Sequence, residues 1–135
     1  MLIDDVAIHL ASFGAYTQAG ATYSIQRGVL PDEVVESITL QEIPAGKAIR
    51  AMGPSLGAPI RERAGLRVTV RGALGDYQNP RIVAELVHTR LDGLNATLSG
   101  RRYWIQALHP PVLDQQDRNV RWRLVATYYV EKERG

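Results

Sequence analysis

The 135-residue sequence contains no cysteine. Disulfides and thiolate metal sites are therefore excluded, and a reducing compartment suits the chain. It has no apolar run approaching the ~20 residues that a membrane-spanning helix needs. Met1-Leu2-Ile3-Asp4-Asp5 places two acids where a secretory leader would carry bases, so a leader is not expected. The expectation is a soluble protein, cytosolic when made, for which the sequon Asn95-Ala96-Thr97 has no glycosylation role. Strong charge of one sign is missing too, because a net charge of +2 is too small to argue for nucleic-acid binding. The charge is unevenly placed. Residues 1–60 hold three bases against six acids, and residues 61–135 hold thirteen bases against eight acids. A bipolar chain can associate head to tail with copies of itself, although ordinary uneven scatter of surface charge accounts for the same numbers.

Recognisable catalytic constellations are also absent. His9, His88 and His109 lie far apart, and none belongs to an HxxxH or HExxH pair, so a structural or surface role is expected for His9 and His88. Gly53-Pro54-Ser55-Leu56-Gly57 superficially resembles a nucleophile elbow, but proline precedes the serine and no strand leads directly into it. Gly46-Lys47 lacks both the spacing and the Ser or Thr of a phosphate-binding loop. The acid pairs Asp4/Asp5 and Asp32/Glu33 are sequence neighbours near element ends, where solvation explains them. Arg101-Arg102-Tyr103-Trp104 and Arg121-Trp122-Arg123 interleave bases with aromatics, a pattern that can grip single-stranded nucleic acid. On a strand, however, Trp122 and its flanking arginines point to opposite faces, so a core tryptophan with solvated arginines is the simpler expectation. No nucleophile, base and orienter come together, so an enzyme is not expected, and neither is a cofactor or metal.

What is present is ordinary globular material, 45% apolar and 22% charged, enough for one domain over residues 1–135. Ile3, Val6, Ala7 and Leu10, with Phe13 continuing, mark a first helix that Gly14 stops. Asp4 and Asp5 sit in its first turn, where the helix dipole favours negative charge. Residues 22–26 suggest a short strand, and residues 36–43 a better one. About fifteen residues then break all periodicity through Pro44-Ala45-Gly46, Met52-Gly53-Pro54 and Leu56-Gly57-Ala58-Pro59, and loops of that length are usually functional or disordered. This one carries Ile49, Met52, Leu56 and Ile60, which must bury in their own domain or in a partner.

Residues 65–72 form a cleanly alternating strand, with Leu66, Val68 and Val70 on one side and Arg67, Thr69 and Arg71 on a polar outer side. Asn79-Pro80 opens a second helix, whose stripe is Ile82, Val83, Leu86, Val87, Leu91 and Leu94, with Arg81 and Glu85 placed to pair. A strand over 96–98 turns near Ser99-Gly100 and continues over 101–108 to His109-Pro110-Pro111. Residues 119–130 alternate throughout. The fold expected is α+β: a single small domain with a mostly antiparallel four- to five-stranded sheet and two main helices packed on one face.

Several phrases, in this order, carry a resemblance. They are the opening helix Ile3-Asp4-Asp5-Val6-Ala7-Ile8-His9-Leu10, the segment Gly28-Val29-Leu30-Pro31, the strand over 38–43, the long loop, and Leu66-Arg67-Val68-Thr69-Val70-Arg71. The helix after Asn79-Pro80, Tyr103-Trp104-Ile105, and the closing run from Arg123 to Val130 complete the pattern. It covers nearly the whole chain and resembles the tail terminator (tail-completion, minor capsid) proteins of siphophages. The resemblance implies an α/β virion protein that forms a hexameric ring at the head–tail junction. That ring caps the tail tube, ends its polymerisation, and offers a surface to the head. It also implies partners: copies of the chain itself, the major tail tube protein, and a head-closure or connector protein, with DNA only as passing cargo and no membrane. Under it, Lys47, Ile49, Arg50, Met52, Leu56 and Ile60 are the expected subunit or partner contacts, and the polar face of Arg67, Arg71, Arg121 and Arg123 is expected at an interface or channel. Another head–tail joining protein of the neck, and a nucleic-acid-binding module using the arginine faces, are the competing readings.

Overall fold

The computed structural model describes residues 2–14, 16–18, 21–28, 36–43, 61–74, 78–98, 100–113 and 121–133. Helix α1 spans Leu2–Ala11 and helix α2 spans Gln78–Leu91. The strands are β1 Tyr16–Gln18, β2 Ala21–Arg27, β3 Ser37–Ile43 and β4 Arg61–Leu74, followed by β5 Leu94–Leu98, β6 Arg101–Ala107, β7 Val112–Leu113 and β8 Arg121–Glu133. They form one eight-stranded sheet in the order β1-β2-β3-β4-β8-β6-β5, with β7 also paired to β8.

This overturns the expected fold class. The chain is mostly β, and its sheet is a curled, mixed half-barrel, not a four- to five-stranded antiparallel sheet with helices laid on one face. There are three physical reasons. β1 and β7 are three and two residues long, too short to show a period. β2 and β3 pair in parallel, Ile25 beside Ile38, a non-local choice without a hairpin signal. The third is the register shift between Arg71 and Leu74 where β4 meets β8; such irregularities bend a long, naturally twisted strand pair. The curl is visible in the packing, since α1 touches β2, β3 and β5, which lie towards opposite ends of the strand order.

The hollow holds the core. From α1 come Leu2, Val6 and Leu10, and from α2 come Val83, Val87 and Leu91, each set at a spacing of four that keeps one stripe inward. They meet Ile38, Leu40, Leu66, Val70, Leu124, Tyr128, Val130, Tyr103 and Ile105 from the sheet. Two residues of the expected stripes face away. Phe13 and Ile82 are about half exposed, because the core needs a narrower seam than the full apolar stripe. Trp122 is half-buried and not the core tryptophan expected.

Several polar groups in the hollow are matched, although His9 Nε2 on α1 is buried without a hydrogen-bond partner. The buried Tyr103 hydroxyl donates to Asp5 Oδ2, and the Tyr16 hydroxyl donates to the Leu10 carbonyl at 2.9 Å. Tyr128 meets His88 Nδ1 at 3.0 Å, which gives His88 the structural role expected of it. Helix α2 approaches β4 so closely that a Cβ on Gly72 would lie 2.5 Å from Pro80 Cγ, so only glycine fits there without a shift. On the surface, Arg81 and Glu85 pair at 3.3 Å, as their spacing predicts.

Candidate functional site

Side chains alternate along β3, β4 and β8, so the residues between the core positions form a second lattice on the outer face, away from the helices. Its rows follow from the register. Ser37 lies beside Arg71 and Arg71 beside Arg123; Thr39 beside Thr69 and Thr69 beside Val125; Gln41 beside Arg67 and Arg67 beside Thr127. After β6, the chain turns through His109-Pro110-Pro111 and returns to β8 as β7, with Val112 opposite Val125. The result is a groove of about 490 Å³. Among the described residues its floor is Thr39, Gln41, Arg67, Thr69, Arg123, Val125 and Thr127, and its wall is His109, Val112 and Leu113.

The outer face is not the simple solvated surface that its alternation suggests. Arg67 is exposed, but Arg71, Thr69, Thr39 and Ser37 are all buried. The hydroxyls of Ser37 and Thr39 are buried with no hydrogen-bond partner. Gln41 is committed, since its Nε2 donates to the Gly28 carbonyl at 2.8 Å. His109 Nδ1 lies 2.8 Å from the Pro110 carbonyl. A carbonyl can only accept, so the proton sits on Nδ1 and Nε2 remains uncommitted in that contact. Glu131, an acid on the same face of β8, is not part of the groove lining; it lies 3.8 Å from Arg63 and accepts a hydrogen bond from the Tyr129 hydroxyl at 2.6 Å.

The expected site residues divide into two groups. Lys47, Ile49, Arg50, Met52, Leu56 and Ile60 lie outside the described residues. Of the arginine face, Arg67 and Arg123 line the groove and Arg71 is buried beside Arg123. Arg121 belongs to β8, opposite Leu74. Sequence reasoning missed Thr39, His109, Val112 and Leu113, since only the register and the turn at Pro110-Pro111 bring them here.

The other basic–aromatic run, Arg101-Arg102-Tyr103-Trp104, is differently placed. Tyr103 is fully buried, and Arg102 is occupied by Asn95 at 3.0 Å and by the Trp104 ring. A stacking platform for bases needs open aromatic faces, and these are taken. Among the described residues, no three His, Asp or Glu side chains converge as metal ligands.

Tyr128 has a strongly displaced titration. Burial, and secondarily the Asp92 carboxylate, hold its pKa well above the ordinary 10.0. A phenol so held stays neutral and serves the core, and it is a poor general base at neutral pH.

No family model matches the sequence, and no curated protein does. Among solved structures, the chain is similar to one from the virion of a native gene transfer agent particle. The two superpose with a TM-score of 0.70 at 15% sequence identity, over 98% of this chain and 94% of that one, so they share a fold from end to end.

Proposed function

We propose that this chain is a structural virion protein of a phage-like particle, and more narrowly a tail terminator. In this reading it acts as a single domain over residues 1–135 and closes into a homo-hexameric ring at the tail–head junction, after assembly in the host cytoplasm. The ring caps the tail tube, stops its growth, and presents a surface to the head-closure or connector protein. The observation that carries the reading is the end-to-end fold likeness to a chain of a gene transfer agent virion, with neither protein left with a large unmatched part. The residue pattern shared with siphophage tail terminators supports the narrower role.

The mechanism is one of surfaces and not of chemistry. β1 and β5 end the strand order, so each has a side unpaired among the described strands. Two different open edges make a heterologous pair, which generates a closed ring when the rotation between copies closes. The segment with Lys47, Ile49, Arg50, Met52, Leu56 and Ile60 supplies further contacts between copies or to the tube. The face of Arg67, Arg71, Arg121 and Arg123 meets a partner or the DNA passage. Once the ring closes, its far face differs from a tube layer and cannot template another.

The test combines light scattering, negative-stain microscopy and a tube-growth assay with the major tail tube protein. Rings and a shortened tube-length distribution are expected. Replacing Met52 and Leu56 with serine should weaken assembly while the melting transition stays in place. A chain that stays monomeric at high concentration and neither binds nor shortens tubes refutes the proposal.

A further inference from the structure

The groove on the outer face has a feature that ring closure does not require. It joins an exposed guanidinium, a buried hydroxyl without a partner, and an aliphatic wall. Arg67 is exposed, and its cross-strand neighbours are Gln41 and Thr127, neither of them an acid. Thr39 is only 1% exposed, lines the groove, and its hydroxyl has no partner. A buried hydroxyl left without a hydrogen bond is costly, and such groups in a folded chain call for an explanation; one is an acceptor or donor that arrives with a ligand. Val112 and Leu113, on the wall, are 48% and 46% exposed.

From these we infer that the groove is a docking site for an extended acidic–aliphatic segment of another protein chain, with a carboxylate on Arg67 and Thr39 and aliphatic side chains against Val112, Leu113 and Val125. Charge complementarity selects the carboxylate: the groove's charged side chains, Arg67 and Arg123, are cationic, and no acid lines it among the described residues. A guanidinium and a hydroxyl together satisfy a carboxylate's two oxygens. The wall excludes a duplex as the natural occupant. A phosphate backbone brings no apolar surface, so it would leave Val112 and Leu113 in water, and a rigid rod does not enter a concavity of this size. An extended segment does both, because its side chains alternate between acid and aliphatic contacts. That the segment belongs to a virion component rests on the function proposed above; the binding itself rests on the groove alone.

The test uses the full chain and three probes: a fluorescent peptide of alternating glutamate and leucine, its glutamine–leucine counterpart, and a short DNA duplex. Saturable binding of the glutamate peptide is expected. It should fall by about tenfold in Arg67→Gln, and by a similar factor with the glutamine peptide, the loss of one charge-assisted hydrogen-bonded pair. Thr39→Val supplies a second readout, since it should weaken the glutamate peptide while raising the melting temperature; a merely structural threonine would not lower affinity. Equal affinity of the glutamate peptide for the wild type and Arg67→Gln overturns the inference. So does an absence of saturable binding, and so does a duplex that binds more tightly than the peptide and is lost in Arg67→Gln. Light scattering on the same preparations separates the two proposals: rings without peptide binding reject the groove, and peptide binding without rings rejects the terminator.

Discussion

The two faces of the curled sheet differ in how the polar groups on them are matched. On the inner face, Tyr103 is bonded to Asp5, Tyr128 to His88, and the aliphatic residues fill a continuous core. On the outer face, Ser37 and Thr39 are just as buried, yet their hydroxyls have no partner. A face that only had to be stable would place aliphatic residues at such positions, because replacing an unmatched polar group by an apolar one of the same shape is neutral or stabilising. Unmatched groups beside a groove mark a surface whose partners come from elsewhere.

The sharpest way to break this comparison uses two neighbouring residues. Leu66 is fully buried on the inner face, and Arg67 beside it is exposed on the outer face. Leu66→Ala should destabilise the chain by about 3 kcal/mol, from lost burial and the cavity left behind. Arg67→Ala should change stability by no more than about 0.5 kcal/mol, the usual range for surface sites. Denaturant titration of both variants checks this. Comparable losses would mean that Arg67 is part of the packing and not a free cation.

Next in size is the tyrosine–carboxylate contact across the hollow. Tyr103→Phe removes a donor from Asp5, itself only 6% exposed, and should cost about 2 kcal/mol in urea unfolding. An unchanged midpoint would show that Asp5 is fully served by its other contacts, and that the inner face tolerates a lost bond as well as the outer face does.

Tyr128 extends the comparison to pH. Its pKa is raised in the folded state, so the folded chain keeps a proton that the unfolded chain loses above about pH 10. The associated stability is fully present below the ordinary pKa of 10.0 and is lost as the pH climbs through the folded value. Wild-type stability should therefore fall by up to about 1.4 kcal/mol per pH unit between pH 10.0 and the folded value, and Tyr128→Phe should flatten the profile. Parallel alkaline profiles for the two proteins would assign the loss to other groups.

These elements were unequally legible in the sequence. α1, α2, β4 and β8 are long enough for a period to show, and the Arg81–Glu85 pair follows from spacing alone. The sheet as a whole was not legible. The parallel pairing of Ile25 with Ile38 and the shift between Arg71 and Leu74 are settled between distant segments, and they turn an expected small antiparallel layer into a curled mixed sheet. The same holds for the groove. Alternation pointed to Arg67 and Arg123, but nothing local to Thr39 or His109 announces that register and a proline turn will bring them together. Periodicity reports which face a residue takes, not whether its hydrogen bonds will be met there, so the burial of Arg71 and Thr69 on a polar face went unseen.

The smallest expected effect is also the one with the opposite sign. Ser37 is fully buried, lies beside Arg71, and its hydroxyl has no partner. Ser37→Ala removes that hydroxyl and leaves the backbone pairing of β3 untouched. On the inner face, deleting a polar group breaks a bond and destabilises. Here the folded state loses an unmatched group, so Ser37→Ala should raise stability by about 0.5–1 kcal/mol, read as a higher urea midpoint at an unchanged slope. The sign is the decisive quantity. A loss of stability would mean that the hydroxyl is satisfied in solution, by water or by the chain itself, and the distinction between a finished inner face and an unfinished outer face would fail at this position.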